Sequence, residues 1–356
     1  MKKLRFGIIG PARIARKNWR AIFHSGNCEV AAVASRDIGC SRKFIAECQA
    51  QLPFANPPLA FGSYEELLTS KNVDAVYVPL PTGLRKEWVV RAAQAGKHVV
   101  CEKPCAVSAG DLEEMISACR KNSAQFMDGV MFMHNRRLGQ IRETLNDGNS
   151  VGQIKRITSH FSFLGAEDFL RANIRASRTL EPAGCLGDLG WYCLRFALWA
   201  MNWQMPRRVD GKIISRAAND PTGVPVEFSG ELFFDGGVSS GFYCSFVAAN
   251  QQTVTITGTK GLLNVQDFVN PFRGEPAFET VQTEFHSDGC NSFARPVSEK
   301  FPHAEADGNP ATSQEANMFR NFTDQIFSGK LNDDWPVWAL KTQKVLDACL
   351  ESASNR

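Results

Sequence analysis

The sequence predicts an α/β protein in two parts. An N-terminal domain carries a parallel sheet covered by helices; a C-terminal α/β domain is built on a large, open, mostly antiparallel sheet. Three observations carry this reading. Through the first third, short apolar runs alternate with amphipathic stretches, the pattern of strands separated by helices and hence of a parallel sheet. From about Val151 the texture becomes β-rich and partly alternating. The chain has 356 residues, more than one hydrophobic core usually serves. The division falls near 125, giving domains 1–125 and 126–356.

The elements follow in order. LRFGIIG (4–10) reads as a strand and Arg13–His24 as a helix; CEVAAVAS (28–35) and SRKFIAECQA (41–50) repeat the pair. The proline-rich stretch 51–62 reads as loop. Ser63 and Glu66 form a capping box that opens a short helix. DAVYVPLP (74–81) is a third strand, Lys86–Ala95 a third helix and HVVCEKP a fourth strand. Ser108 and Asp111 cap the next helix, and AQFMDGVMF (124–132) is a further strand. In the second part, 156–165, 226–234, 238–246 and 252–258 read as strands, with a hairpin turn at Phe234–Val238. The Ser-, Pro-, Gly- and Asp-rich stretch 285–312 reads as a surface loop. Helices over 313–328 and 336–352 close the chain.

Composition narrows the function. A net charge of +3 is too mild to make nucleic acid the main partner. No apolar run is long enough to span a bilayer, and Gly10-Pro11 followed by Arg13, Arg16 and Lys17 breaks the first run before a signal peptide could form. Eleven scattered cysteines without a CxxC pair fit free thiols in a reducing cytoplasm. Cys101 and Cys105 lack the neighbours a zinc site would need, so no metal is expected.

The first strand ends GIIG-PARIA. A dinucleotide-binding turn has the form G-x-G-x-x-G/A; here the three positions are Gly10, Ala12 and Ala15, with Pro11, Arg13 and Ile14 around them. Helix-terminal N–H groups at Arg13 can receive phosphate. At the end of the second strand, where NAD enzymes place an acid for the ribose 2′-OH, this chain has Ser35-Arg36. A hydroxyl and a guanidinium suit a 2′-phosphate, so NADP(H) is expected, with NAD as the alternative; Asp37 comes one residue too late. Ligands of parallel sheets bind beyond the carboxyl ends of the strands. Lys103, in HVVCEKP, stands at such an end, while Glu102 points the other way, toward the fold or the cofactor.

Taken together, GIIG-x-A-x-IA, SRD, GSYEELL, VYVPLPT, AGKHVVCEKP, GCLGDLGWYC and ITGTKGLLNV resemble the glucose-fructose oxidoreductase/inositol dehydrogenase/rhizopine catabolism (Gfo/Idh/MocA) family, nearest its dihydrodiol dehydrogenase and NADP-dependent sugar dehydrogenase branch. The resemblance covers nearly the whole chain. It implies a Rossmann domain, a C-terminal sheet that joins subunits into a homodimer or higher oligomer, and hydride transfer between a nicotinamide and a carbinol or carbonyl carbon of a sugar, polyol or cyclic trans-diol. Lys103 matches the family's catalytic lysine; Asp188 and Tyr192 match its D-x-G-x-H/Y motif; Leu80, Pro81, Glu102 and Lys103 fall on the cofactor side.

The chemistry is consistent with those residues. Oxidising an alcohol needs a group to take the hydroxyl proton. Tyr192 can move that proton, with the charge of Lys103 easing its ionisation, or Lys103 can act directly. Asp188, four residues before Tyr192, shares a helix face with it and would orient substrate or Lys103. The family's substrate-side R-[FY]-x-P is replaced by Met133-His134-Asn135-Arg136, and its P-x-x-x-H by Pro81–Arg85. This makes His134 and Arg175 weak substrate candidates, and Arg85 a candidate anion contact. Two other readings remain: a nicotinamide-dependent glycoside hydrolase with no net cofactor turnover, and a non-catalytic dinucleotide sensor.

Overall fold

The computed structural model describes residues 2–166, 169, 177–217, 222–272, 277–302 and 309–354. Contacts divide the chain into two compact units. The first comprises Met1–Asn135, Thr179–Pro182 and Asn309–Lys344; the second comprises Arg136–Arg178, Ala183–Gly308 and Val345–Arg356. The first unit therefore takes in late residues that a single division near 125 assigns to the second part.

The elements of the first unit begin with β1 (Leu4–Ile9), α1 (Arg13–Ser25), β2 (Cys28–Ala34), α2 (Ile38–Gln51), β3 (Leu59–Phe61) and α3 (Tyr64–Thr69). They continue with β4 (Ala75–Val78), α4 (Thr82–Gln94), β5 (His98–Cys101), α5 (Ala109–Lys121) and β6 (Phe126–Asp128). The strands form a parallel sheet in the order β3-β2-β1-β4-β5-β6. The order reverses between β1 and β4, so the switch point, where such sheets bind ligands, lies beyond Ile9 and Val78.

Sequence and structure differ at several places here. β3 lies inside the stretch expected to be loop. The strand expected over 124–132 ends at Asp128 and gives way to a tight 3₁₀ turn, Met131–His134. α4 begins at Thr82, directly after Pro81, whose fixed φ suits a helix start. The capping box is half realised: Ser63 Oγ accepts from the Glu66 N–H at 3.2 Å, but the Glu66 carboxylate accepts from Gly62 instead of Ser63.

The second unit contains α6 (Arg137–Asn146), β7 (Ile154–Leu164), α7 (Trp191–Ala200), β8 (Arg208–Arg216), β9 (Pro225–Phe233) and β10 (Ser239–Ser245). It continues with β11 (Val247–Gly258), β12 (Leu262–Val265), β13 (Phe278–Asp288) and β14 (Asn291–Phe301). Eight strands are ordered β14-β13-β12-β11-β7-β10-β9-β8, antiparallel throughout except for the parallel pair β10–β7. Every residue of α7 is buried. Arg137 and Asp267 form an ion pair at 2.7 Å with side chains 1% and 0% exposed.

The surface loop expected over 285–312 is corrected. Residues 278–301 form a long two-stranded arm at one edge of the sheet, and 303–308 lie outside the described residues. Composition suggested loop, but Val281, Thr283 and Phe285 alternate, and Gly289-Cys290, glycine first, is a two-residue hairpin signal; Gly289 takes φ +56° at the turn.

The chain ends in α8 (Gln314–Phe327) and α9 (Asp334–Ser354). α8 completes the core of the first unit. Met318, Phe319 and Phe322 are buried in it, and Phe319 meets Phe6 of β1 edge-on at 5.4 Å. α9 contributes its first part to the first unit and its last part to the second.

Candidate active site

β1 delivers the chain to Gly10, which takes φ +97° and donates its N–H to Ala34 O of β2 at 2.9 Å. The left-handed backbone requires glycine there, and the Leu80 side chain of the loop after β4 packs close, its Cδ2 2.9 Å from where a Cβ would lie. The loops after β1 and β4 thus meet at the switch point. Ala12 sits at φ −67°, ψ 158°, ordinary extended backbone that any residue adopts. Ala15 is fully buried, the small residue that helix–strand packing needs. α1 opens with no side-chain cap and no acidic residue in its first turn, leaving its N–H groups available to phosphate.

At the end of β2, Ser35 is half-buried and Arg36 exposed. Tyr64 links this end to the glycine turn: its hydroxyl is 3.6 Å from the place a Cβ would take at Gly10. Burial raises the Tyr64 phenol above its usual range, and the nearby charge of Arg36 opposes that shift. Asp37 is committed elsewhere. Its Oδ1 accepts from the Gly39 N–H at 2.8 Å, capping α2, and Oδ2 accepts from the Cys40 thiol at 3.5 Å.

Beyond β5, Glu102 is buried and Lys103 half-buried. Glu102 Oε1 accepts from the Tyr77 hydroxyl at 2.6 Å and from Asn18 Nδ2 at 3.4 Å, while Oε2 accepts from the Lys103 N–H at 3.3 Å. Burial first, then the Glu102 carboxylate, hold the Tyr77 phenol well above its ordinary pKa, so it stays protonated and donating. Glu102 therefore ties β4, α1 and the Lys103 backbone together. Sequence reasoning missed Asn18 and Tyr77. The signal was present: each puts a polar group at a position that periodicity assigns to the core, on α1 beside Ala15, Trp19 and Ile22, and within AVYV.

Arg85, expected as an anion contact, is turned inward instead. Its Nε donates to Leu80 O at 2.6 Å, and Nη1 donates to Glu102 O at 3.0 Å and to Pro104 O. Thr82 meets Glu181, whose Oε2 accepts from Oγ1 and whose Oε1 accepts from the Thr82 N–H at 3.1 Å. His134 is drawn to the C-terminal helices: Nδ1 lies 3.0 Å from Asn321 Nδ2, and its ring lies edge-on to Trp335 at 6.1 Å. It borders a cleft of about 430 Å³ lined also by Asp324 and Trp338.

In the second unit, Asp188 lies in a π-helical turn, Leu186–Gly190, that runs into α7. The sequence suggested one regular α-helix; a wider turn here changes the phase between Asp188 and Tyr192, and such turns are frequent at functional sites. Asp188 is half-buried, Tyr192 is 7% exposed, and the Tyr192 ring packs edge-on against Phe161 at 5.5 Å. Arg175 lies outside the described residues. Among the described residues no group of three or more His, Cys, Asp or Glu is arranged to hold a metal ion.

Residues 4–130 match the family model described as oxidoreductase family, NAD-binding Rossmann fold, and residues 139–264 match the GFO/IDH/MocA C-terminal domain. The chain belongs to the Gfo/Idh/MocA oxidoreductase family. Its relatives in this family include a D-xylose 1-dehydrogenase (NADP(+)) of Haloferax volcanii, 29% identical over 353 residues, with 98% of this chain and 97% of that protein covered. The trans-1,2-dihydrobenzene-1,2-diol dehydrogenase of Mus musculus is 29% identical over 272 residues, 75% of this chain and 76% of that one. Among solved structures, a 3-ketoreductase from Actinomadura kijaniata, in complex with NADP and TDP-benzene, shares the fold with a TM-score of 0.79 at 24% identity, covering 99% of this chain and 98% of its own. Gfo/Idh/MocA membership makes this chain an oxidoreductase with a nicotinamide-dinucleotide fold.

Proposed function

We propose that the protein is an NADP(H)-dependent dehydrogenase or reductase acting on a carbinol or carbonyl carbon of a sugar, polyol or cyclic trans-diol. The observation that carries the cofactor preference is at the end of β2. Asp37, the acid next to Arg36, is engaged in the cap of α2, while Arg36 stays exposed beside Tyr64 and the glycine turn. A guanidinium without a competing carboxylate favours a 2′-phosphate over a bare hydroxyl. The relatives named for NADP and for xylose or dihydrodiol oxidation support the same reading.

In this reading Gly10, Pro11, Ala12, Arg13 and Ile14 receive the pyrophosphate, Ser35 and Arg36 the 2′-phosphate, and Leu80, Pro81 and Lys103 border the nicotinamide. The bound cofactor supplies or accepts the hydride. Tyr192 and Lys103 handle the proton of the reacting hydroxyl, and Asp188 orients substrate or lysine. Glu102 acts from the fold side by holding the Lys103 backbone. The protein is cytoplasmic, in line with its free cysteines. It is a homodimer or higher homo-oligomer through the open sheet, in line with the arm of β13 and β14, where Phe285 is 81% exposed.

The test is titration with NADPH and with NADH, followed by nicotinamide fluorescence, on the protein and on Arg36→Ala. A charge-assisted hydrogen bond is worth about 1.5–3 kcal/mol, so the variant should weaken NADPH by about 10–100-fold and leave NADH nearly unchanged. Equal loss for both cofactors would remove Arg36 from the site. A screen of sugars and diols with NADP⁺ then identifies substrate; turnover with no net change in NADPH would favour the hydrolase reading.

A further inference from the structure

We propose that Arg85 is the positioning residue for Lys103, a clamp that fixes the peptide on both sides of the lysine and ties it to the loop after β4. This rests on the reading of Lys103 as catalytic. One side chain makes the connection. Nη1 donates to the carbonyl of Glu102, immediately before Lys103, and to that of Pro104, immediately after it; Nε donates to Leu80 O at 2.6 Å. The same two loops carry the residues assigned to the nicotinamide, so the clamp fixes the lysine relative to the cofactor loop.

The chemistry requires arginine. A guanidinium presents five donors in a rigid planar fork, whereas an ammonium is a point charge on a flexible stem and an imidazole offers at most two donors. Arg85 is only 5% exposed, and a charge so buried is tolerated when it is well hydrogen-bonded. Three carbonyl dipoles do this, with the Glu102 carboxylate and the Arg85 charge acting in opposite senses on the Tyr77 phenol of β4.

Neighbouring contacts reinforce the same loop. Thr82 Oγ1 also reaches Pro104 O, at 3.4 Å. The segment Thr179–Pro182 holds Thr82 through Glu181, and Leu180 O accepts from the Gly83 N–H at 3.0 Å. The Lys103 N–H is thus held by the Glu102 carboxylate, and the carbonyls on either side of the lysine by Arg85, with Thr82 adding to the one at Pro104. None of these contacts is to a ligand; they set where the lysine side chain begins.

The test compares Arg85→Met and Arg85→Lys with the unmodified protein in two measurements. Hydrogen exchange over residues 98–106 should accelerate about tenfold in R85M, the loss expected for roughly one backbone-anchoring hydrogen bond, and by less in R85K, which keeps the charge and serves if R85M folds poorly. With D-xylose and NADP⁺, kcat should fall about 100-fold in R85M, as a displacement near 1 Å can cause, while the KM for xylose and the Kd for NADPH stay within about threefold. A residue that served folding alone would lower thermal stability without that split between kcat and KM. Unchanged exchange at 98–106 in both variants would overturn the clamp, as would NADPH affinity falling in step with kcat. If Lys103→Met keeps full turnover, the catalytic reading of Lys103 fails, while the exchange measurement still decides the clamp, with or without a substrate that turns over.

Discussion

Removing the carboxylate of Asp267 should destabilise the second unit by about 3 kcal/mol. Asp267 is fully buried. Its Oδ1 accepts from Arg137 Nη1 at 2.7 Å, its backbone carbonyl from Nη2 at 2.6 Å, and its Oδ2 from the Phe272 N–H at 2.5 Å. Deleting one partner of a buried pair typically costs about 3–5 kcal/mol, because the other charge stays behind without its counterion. The lower end applies, since Nη2 keeps the backbone carbonyl in Asp267→Ala. For a unit of this size, about 3 kcal/mol is a fall of roughly 6–12 °C in midpoint. Replacing both partners, as in Arg137→Met with Asp267→Ala, should recover much of the loss, leaving about 1–2 kcal/mol for the unaccepted Phe272 N–H. The assay is thermal unfolding by circular dichroism and calorimetry over the four proteins of the cycle. A single variant D267A within about 2 °C of the parent, or losses that simply add in the double variant, would refute the argument that the pair is coupled.

Three further outcomes are expected. Lys103→Met should abolish turnover while NADPH binding stays close to that of the parent, read by stopped-flow kinetics and fluorescence titration; substantial residual kcat would remove the lysine from the chemistry. Phe285→Glu, on the exposed arm, should shift the protein toward monomer in light scattering after size exclusion, and an unchanged mass would exclude the arm from the interface. Asp74 has a carboxyl that burial pushes up and that hydrogen bonds from Arg5 pull below its ordinary 3.8. The depressed folded value means its stabilisation is complete above the unfolded pKa and is lost as pH falls through the folded one. Asp74→Asn should therefore cost about 1 kcal/mol at pH 7, with the gap closing below about pH 4; a gap of constant size in urea unfolding across that range would contradict it.

The parallel sheet was legible because its strands are short, apolar and bounded by caps: Ser63 and Ser108 each accept from the N–H three residues on. The second sheet was legible from alternation where one face is buried, as in β7 and β9. What misled was composition in the absence of burial. Over 285–300 every side chain is exposed, so no buried face fixes the strands, and Ser, Pro and Asp read as loop. The late return of α8 was hidden for a different reason. Phe319 and Phe322 announce an apolar face, but nothing in the sequence says that its partner is Phe6, more than three hundred positions earlier.

The site separates in the same way. Positions set by a local backbone shape could be read: Gly10 in its left-handed turn and Lys103 just past the end of β5. Residues whose role lies in reaching another segment could not. Asp37 could have faced a ribose or its own helix, and the choice is made by geometry: its carboxylate meets the Gly39 N–H two residues on, a contact that any Asp before a helix start can make. That local bond engages the acid next to Arg36 in the cap of α2, and the proposed preference for NADP(H) rests on it. Arg85 follows the same logic in reverse. A cation four residues after Pro81 suggests an anion, yet the nearest acceptors are the carbonyls of two irregular loops, which β4 and β5 leave without sheet partners. A guanidinium satisfies them at once, and Lys103 is held where those carbonyls are.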